Sequence, residues 1–131
     1  MAEGEALWDT QTLAEFLGIS RSGLERGRRR RPEQWPRATR IGGSVGYLGT
    51  DVQAWLAARR VNTFAGTDIP MELGEGLIPR KAVAEKIGKS IAWFEKGQDA
   101  HPQQLPPAYR VGRLWRYAWP EVLAWLQANR T

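Results

Sequence analysis

Four consecutive arginines, Arg28–Arg31, form the densest charge cluster of the chain. Guanidinium groups bind phosphate oxygens through paired hydrogen bonds, and such contacts release counterions from a nucleic acid. The whole chain carries 19 Lys and Arg against 14 Asp and Glu, which gives a formal net charge of +5. This balance favours a polyanionic partner, most often a nucleic acid. A solvated loop would also tolerate four arginines, so the interpretation depends on the elements beside them.

Residues suited to catalysis or metal binding are few. The single histidine, His101, lies in a polar loop beside Pro102, where a surface position is expected. Because the chain contains no cysteine, disulfides, thiolate metal sites and cysteine nucleophiles are excluded. The Gly-Gly-Ser segment at 42–44 is not a phosphate loop, because no helix with a Lys-Ser or Lys-Thr pair follows it. We therefore expect a protein without catalytic residues, metal or cofactor.

Membrane and targeting signals are not recognised in the sequence. No apolar run approaches the ~20 residues that a membrane-spanning helix needs. Residues 1–10 lack the basic and apolar regions of a signal peptide. We therefore expect a cytoplasmic protein without a membrane partner.

The chain matches itself when it is shifted by 70 residues. Residues 7–60 align with residues 77–130 without a gap, and more than a third of the aligned positions are identical. The identical pairs include Gly18/Gly88, Ser20/Ser90, Pro36/Pro106, Tyr47/Tyr117 and Trp55/Trp125. Because chance does not hold one register for so long, we interpret the chain as two copies of one fold.

The first half of each repeat predicts two short helices. In repeat 1, the apolar spacing of residues 13–17 indicates a helix with Thr10 as its N-cap, and Gly18 ends it. Ser20 then caps a second helix that runs from Arg21 to about Arg28. Two short helices joined by Gly-x-Ser are typical of a helix-turn-helix.

A small β-hairpin is predicted in the second half of each repeat. In repeat 1, residues 39–41 and 45–47 alternate in polarity on either side of a Gly-Gly-Ser tip. The matching strands of repeat 2 are residues 109–111 and 114–117, on either side of Gly112.

An amphipathic helix closes each repeat, over residues 51–60 and 121–130. Pro120 suits the first turn of the second of these helices. The large apolar residues expected in the two cores are Trp35, Trp55, Leu105 and Trp125.

The order helix, turn, helix, hairpin, helix therefore occurs twice. It predicts a mainly α fold with small β-hairpin wings (α+β), arranged as two tandem winged helix-turn-helix domains. Repeat 1 covers residues 1–60 and repeat 2 covers residues 77–131. Residues 61–76 are rich in Gly, Thr and acidic residues and are interpreted as a linker. Three apolar residues indicate that this linker packs in part, namely Phe64, Ile69 and Met71.

The motifs of repeat 1 resemble a known family. They read LAEFLGISRSGLERG, RIGGSVGY and TDVQAWLAAR, and they begin at Leu13, Arg40 and Thr50. In this order and spacing they resemble the excisionase and AlpA-like regulators of prophages and mobile elements, in the MerR-like winged-helix superfamily. The resemblance covers nearly all of repeat 1. In repeat 2 it is good in the first helix, hairpin and last helix but poor in the second helix, and a tandem copy is unusual for the family.

This resemblance implies a sequence-specific protein that binds double-stranded DNA of a phage or mobile element. It implies a transcriptional regulator, or an excisionase that bends DNA and directs an integrase. The implied protein partners are an integrase or RNA polymerase, and the implied location is the nucleoid. Two alternatives stay open. Terminase small subunits and transposase end-binding modules also resemble winged helices, and a protein-interaction adaptor could use the divergent second repeat.

The resemblance also implies that the second helix of a repeat enters the major groove, while the hairpin wing contacts the backbone or minor groove. In repeat 1 we expect Leu24 to face inward. Arginine can donate two hydrogen bonds to guanine, and serine can serve a base or a phosphate. Glu25 could instead pair with Arg21 or Arg29, as on an ordinary surface helix. The candidate DNA-binding residues of repeat 1 are Ser20, Arg21, Ser22, Arg26, Arg28, Arg29, Arg30, Arg31, Arg40 and Ser44.

The corresponding surface of repeat 2 is different. Ile91 and Trp93 replace Arg21 and Gly23, and residues 98–101 replace the arginine cluster. These two apolar residues could pack against the other repeat or a partner, contact thymine methyl groups, or mark a helix that has lost DNA binding. We hypothesise that repeat 1 reads sequence and that repeat 2 binds mainly backbone through its wing. The candidate residues of repeat 2 are Lys89, Ser90, Lys96, Arg110, Arg113 and Arg116.

For two of these residues, Arg40 and Arg110, two roles stay open. Each begins the hairpin of its repeat. A guanidinium at this position either contacts a backbone phosphate or forms an internal salt bridge.

Overall fold

The chain divides into two compact units, each built from helices and a small sheet. The computed structural model describes residues 6–61 and 68–130, and the boundary between the units falls between Arg59 and Arg60. Within these residues the protein has a mixed α/β architecture of six α-helices and seven short strands in two antiparallel sheets. This is compatible with the predicted α+β class. None of the described helices has the length and apolar character that a membrane crossing requires.

Unit 1 contains three strands and three helices. They are β1 (Leu7–Asp9), α1 (Thr10–Leu17), α2 (Arg21–Arg30), β2 (Thr39–Ile41), β3 (Ser44–Leu48) and α3 (Gly49–Arg59), with a single 3-10 turn at Pro32–Gln34. The sheet order is β1–β3–β2, and both neighbouring pairs are antiparallel. Helix α2 continues past the predicted end at Arg28, so three of the four consecutive arginines lie in its last turn and not in a loop.

Short polar side chains fix where the first two helices begin. Asp9 is the N-cap of α1, because its carboxylate accepts a hydrogen bond from the Thr12 amide at 2.7 Å. This hydrogen bond lowers the pKa of Asp9. Thr10, which we predicted as the cap, is instead the buried first residue of the helix, because the carboxylate before it already satisfies the free amide. Ser20 caps α2 as predicted and accepts from the Gly23 amide at 3.0 Å.

Glycines with positive φ allow the two tight reversals of unit 1. Gly18 ends α1 in the left-handed conformation, with a φ of 72°. Gly42 has a φ of 59° at the tip of the β2–β3 hairpin, where two residues connect the strands. A two-residue tip with positive φ at its first position strongly favours glycine. Both conformations recur in unit 2, at Gly88 and Gly112.

The core of unit 1 takes one face from each helix and from β3. Its fully buried side chains include Leu13, Leu17, Leu24, Tyr47, Val52 and Leu56. Trp55 differs from the expected core position, because it is only half-buried and stacks on the half-buried Trp35 with ring centroids 5.8 Å apart. Its indole Nε1 donates to the Gln34 carbonyl at 2.9 Å. The two rings therefore cover the edge of the core, where the indole N–H finds a partner.

Unit 2 repeats this order of elements and adds a strand. Its elements are β4 (Arg60–Val61), β5 (Leu77–Pro79), α4 (Arg80–Ile87), α5 (Ile91–Ala100), β6 (Ala108–Val111), β7 (Leu114–Ala118) and α6 (Trp119–Ala128), with a 3-10 turn at Pro102–Gln104. The sheet order is β4–β6–β7–β5, and all neighbours are antiparallel. Helix α6 begins earlier than predicted, and Pro120 lies in its first turn as expected.

The segment predicted as a linker belongs in part to unit 2. Its first residue, Val61, lies in β4 and pairs with β6. Ile69 is 2% exposed and lies in the main apolar cluster of this unit, and Met71 is half-buried. Phe64 lies outside the described residues. Because the flanking residues are packed, the second compact unit starts at Arg60 and not at residue 77.

A buried carboxylate holds the start of unit 2 against its last helix. The Glu121 side chain is fully buried and accepts a hydrogen bond from Arg60 Nε at 3.0 Å. It also accepts from the Glu72 amide at 2.9 Å and from the Tyr109 hydroxyl. Burial, together with this carboxylate, raises the pKa of Tyr109 far above its ordinary value, so the hydroxyl stays protonated and donates. A buried charge is tolerated only when it is paired and hydrogen-bonded in this way.

We expect Glu121→Ala to lower the free energy of unfolding of unit 2 by about 3–5 kcal/mol, because Arg60 would keep a buried charge without its partner. The matched control is Asp51→Ala at the equivalent, only half-buried position of α3, which should cost at most about 1 kcal/mol. Urea unfolding followed by circular dichroism measures both variants. Equal losses in the two variants would show that the buried network around Glu121 stabilises unit 2 no more than a half-buried helix-end carboxylate does.

Candidate nucleic-acid interface

Helix α2 concentrates positive charge on its solvent side. Leu24 is fully buried, as predicted, and fixes the rotation of the helix. The polar residues that remain exposed on the helix and its C-cap are Arg21, Ser22, Arg26, Arg29, Arg30 and Arg31. The only carboxylate on α2 is that of Glu25. Clustered cations near a helix C-terminus also interact favourably with the helix dipole, so this charge does not prevent the helix from forming.

One face of α2 and the β2–β3 hairpin border an open groove of about 690 Å³. From the helix, the groove is lined by Arg21, Glu25 and Arg28, which follow one another at i, i+4 and i+7. From the hairpin, it is lined by Ile41 and residues 43–46. The second helix and the hairpin tip therefore lie on one surface of unit 1 and can contact one ligand together.

Arg21 and Glu25 form the ion pair of this groove. Their closest atoms, Arg21 Nε and Glu25 Oε1, are 3.8 Å apart, and the side chains are 57% and 38% exposed. An exposed i, i+4 pair contributes at most about 0.5 kcal/mol, because water screens it. Arg21 is therefore free to exchange this carboxylate for a better acceptor on a ligand.

Arg28 donates a hydrogen bond to a buried side chain, which no other arginine of α2 does in the described part of the chain. It is half-buried, and its Nη1 donates to the hydroxyl of Tyr47 at 3.2 Å. Tyr47 is fully buried, so its hydroxyl needs a hydrogen-bond partner inside the protein. Arg28 thus ties α2 to β3 and at the same time lines the groove.

Other candidate residues of unit 1 have mixed roles. The Ser20 hydroxyl caps α2, and the Ser44 hydroxyl donates to the Ile41 carbonyl at 2.9 Å across the hairpin tip. Both serines are therefore used within the unit. Arg40 is exposed on β2, and no salt bridge of this residue is found among residues 6–61 and 68–130. Of these three residues, Arg40 is the one best placed to meet a phosphate.

Helix α5 of unit 2 presents the apolar Ile91 where α2 presents Arg21, and Trp93 where α2 has Gly23. Ile91 is 39% exposed, and Trp93 is half-buried against Phe94 with ring centroids 5.0 Å apart. Ser90 caps the helix by accepting from the Trp93 amide at 3.1 Å, as predicted for a cap. Lys89 lies 5.5 Å from the Trp93 ring centroid. The cationic groups that stay exposed on this side of unit 2 are Lys89 and Lys96.

In the β6–β7 hairpin, two of the three candidate arginines are engaged with Trp115. The guanidinium of Arg110 lies 4.4 Å from the centroid of this ring, an internal contact that differs from both roles considered for it. Arg116 is half-buried and donates to the Trp115 carbonyl at 3.0 Å, and burial lowers its pKa. Arg113 at the tip is exposed. Arg113 is therefore the arginine of this hairpin best placed for a phosphate contact.

Sequence reasoning missed Arg80, the first residue of α4. Its Nε donates to the hydroxyl of Tyr117 at 2.8 Å, and its guanidinium lies 4.8 Å from the Trp115 ring centroid. It also lies 5.3 Å from the centroid of Phe94 and donates to Gln98 at 3.5 Å. Arg80 is thus an internal cation, enclosed by aromatic rings.

The alignment of the repeats contains a signal for this role of Arg80. Tyr117 is identical in both copies, but Gln98 replaces Arg28, which supplies the hydrogen bond in unit 1. Arg80 replaces Thr10. One arginine is lost where another is gained, and both contact the same buried tyrosine of their unit.

Comparison with known proteins identifies no relative. No family model, no curated protein and no solved structure matches the chain. In the described ranges, no group of three His, Asp or Glu side chains is arranged to hold a metal ion. What the groove and helices can do follows from their own geometry and charge.

We expect Arg80→Thr to reduce the free energy of unfolding of unit 2 by about 1–3 kcal/mol, because it leaves the buried hydroxyl of Tyr117 without a partner. Adding Gln98→Arg should restore most of this loss, because it recreates the arginine position of unit 1. Urea unfolding of the single and double variants measures the recovery. A double variant no more stable than Arg80→Thr would refute the exchange.

Proposed function

We propose that the protein binds double-stranded DNA sequence-specifically through two winged helix-turn-helix units. In this proposal α2 of unit 1 enters the major groove, and the β2–β3 hairpin contacts the neighbouring backbone. The single observation that carries the proposal is the groove bordered by both α2 and the hairpin, because it places Arg21 and Arg28 of the helix on the same surface as the hairpin tip. A major groove about 12 Å wide admits one α-helix.

The distribution of cations supports this orientation. Arg21 lies at the start of α2, where helix-turn-helix proteins contact base edges. Arg29, Arg30 and Arg31 are exposed at its other end, where phosphates would lie on either side of the groove. Base reading and backbone contact are thereby assigned to different ends of one helix.

Unit 2 has a different task in this proposal. Its α5 offers Ile91 in place of Arg21 and Trp93 in place of Gly23. The exposed cations on or directly before α5 and at the tip of the β6–β7 hairpin are assigned to phosphate contact, namely Lys89, Lys96 and Arg113. We propose that unit 2 adds affinity through the DNA backbone, while unit 1 selects the sequence.

The cellular role we propose is that of a transcriptional regulator or an excisionase of a phage or mobile element, located at the nucleoid. This role rests on the resemblance of the repeat motifs to excisionase and AlpA-like regulators. An integrase or RNA polymerase would be the protein partner, and no catalytic residue or cofactor is required.

A second candidate function is a protein-interaction adaptor that uses unit 2. The observation that favours it is a cavity of about 220 Å³ beside α5, lined by Trp93, Gly97 and Leu105 among others. The same helix also exposes Ile91. Such a cavity accepts one apolar side chain of a partner. An adaptor would bind duplex DNA weakly and without sequence preference.

We expect the triple variant Arg29→Ala, Arg30→Ala, Arg31→Ala to bind all duplexes more weakly by a similar factor. Each phosphate contact contributes about −0.9 to the slope of log K against log salt, so this slope should become less steep by about 2–3. Fluorescence anisotropy of labelled duplexes between low and moderate salt measures it.

A triple variant with the same loss of charge outside α2, α5 and the hairpins (Lys81→Ala, Lys86→Ala, Arg130→Ala) serves as the control. For this control, the slope of log K against log salt should become less steep by less than about 1. Equal effects of the two triples would mean that net charge alone matters and that the assigned DNA face is wrong.

For unit 2, we expect Lys89→Ala, Lys96→Ala and Arg113→Ala together to weaken binding without changing base preference. Arg21→Ala should change base preference, because a guanidinium pairs with guanine in two hydrogen bonds. Selection of bound sites from random duplexes distinguishes the two results. A changed consensus for the unit 2 variant would show that this unit also reads bases.

A further inference from the structure

Glu25 is the one acidic side chain on the proposed reading helix. It stands among five arginines of α2 and lines the groove between Arg21 and Arg28. A carboxylate that approaches DNA is repelled by the phosphates and loses water, so it opposes binding unless a donor on the ligand compensates it. Its position on the groove side of the helix therefore calls for an explanation in terms of the ligand.

The ion pair with Arg21 does not provide that explanation once DNA is bound. At 3.8 Å and with both side chains well exposed, the pair is weak. The planar fork of Arg21 matches the O6 and N7 acceptors of guanine better than it matches this distant carboxylate. When Arg21 turns to a guanine, Glu25 needs another donor.

Base edges in the major groove offer only two donors, the N4 amino group of cytosine and the N6 amino group of adenine. Adenine presents its N6 donor beside the N7 acceptor, a pair that suits the amide of Asn or Gln. A carboxylate is acceptor-only, so adenine N7 would repel it. Cytosine N4 is the donor that a glutamate prefers.

The spacing of the two side chains fits neighbouring bases. Four residues of an α-helix rise about 6 Å. Neighbouring base pairs are about 3.4 Å apart. Arg21 and Glu25 therefore reach base pairs within about two steps of each other.

We propose that Glu25 is a specificity-determining residue that accepts a hydrogen bond from cytosine N4, close to the guanine bound by Arg21. This inference rests on the proposed DNA-binding function, and it narrows the ligand to duplexes with a guanine and a cytosine under the first turns of α2. Because Glu25 repels phosphates, it lowers the nonspecific affinity of the protein for DNA. In return, its hydrogen bond makes binding selective for one base.

Unit 2 contains a matched control for this proposal. Glu95 is the equivalent glutamate of α5, but Ile91 and Gln98 stand where Arg21 and Arg28 stand in unit 1. Because no neighbouring arginine binds a guanine, nothing in α5 holds a particular base pair within reach of Glu95. Its replacement should leave the consensus unchanged.

The experiment selects bound sites from random duplexes with four full-length proteins: wild type, Glu25→Gln, Glu25→Ala and Glu95→Gln. Wild type should enrich cytosine at one position by about 5- to 150-fold, the range that one good base contact gives. Glu25→Gln should move this preference to adenine, Glu25→Ala should abolish it, and both should bind mismatched duplexes at least as tightly as wild type. Glu95→Gln should give the wild-type consensus.

Two outcomes separate the inference from the function on which it rests. Sequence-specific binding by wild type, with an unchanged consensus in both Glu25 variants, would overturn the role of Glu25 and leave the DNA-binding proposal intact. No selective enrichment by wild type would overturn the proposed sequence-specific binding itself. A consensus shift in Glu95→Gln equal to that in Glu25→Gln would show that the glutamate acts through general charge and would also overturn the inference.

Discussion

A buried tyrosine hydroxyl imposes the constraint on which the rest of each unit depends. Tyr47 and Tyr117 lie in the second strand of each hairpin, and both are almost completely inaccessible to solvent. A hydroxyl in that position must find a partner inside the protein, and in both units the partner is a guanidinium. Each bond ties the hairpin to a helix. In unit 1 this helix is α2, so the contact that completes the core also sets the distance between helix and hairpin across the groove.

The choice of helix explains why the two units could diverge. In unit 1 the guanidinium comes from Arg28, and α2 cannot lose that residue without leaving the tyrosine unpaired. In unit 2 it comes from Arg80 on α4, so α5 is released from this duty and carries Gln98 instead. If the two units arose by duplication, an intermediate sequence carried arginine at both positions, that of Arg28 and that of Arg80. An intermediate with neither arginine would bury an unpaired tyrosine hydroxyl. The scaffold is thus conserved between the units while their exposed helices differ.

Much of this fold could be predicted from the sequence, because its boundaries are set by local chemistry. The caps by Ser20 and Ser90, the helix end at Gly18 and the hairpin tip at Gly42 all follow from the preferences of single residues. The cap of α1 was assigned to Thr10 in place of its neighbour Asp9, but the larger errors have non-local causes. Strand β4 consists of only two residues, and its pairing with β6 has no local signature. The internal role of Arg80 arises from a tyrosine and aromatic rings that are distant in sequence, whereas those of Arg110 and Arg116 arise from contacts with Trp115 within the hairpin. A count of charges in the sequence suggests that every such cation binds a ligand. The structure shows that some of them are partly buried and have partners within their own unit.

The network around Glu121 also determines where the chain can be divided for study. A fragment chosen from the repeat alignment would start at Leu77 and would lack Arg60, Ile69 and Glu72. Such a fragment would bury the Glu121 carboxylate without its cation and leave an apolar gap where Ile69 packs. It would fold poorly for reasons unrelated to ligand binding, and a lack of activity would be misread as a lack of function. Unit 2 can be judged in isolation only when the chain is cut before Arg60.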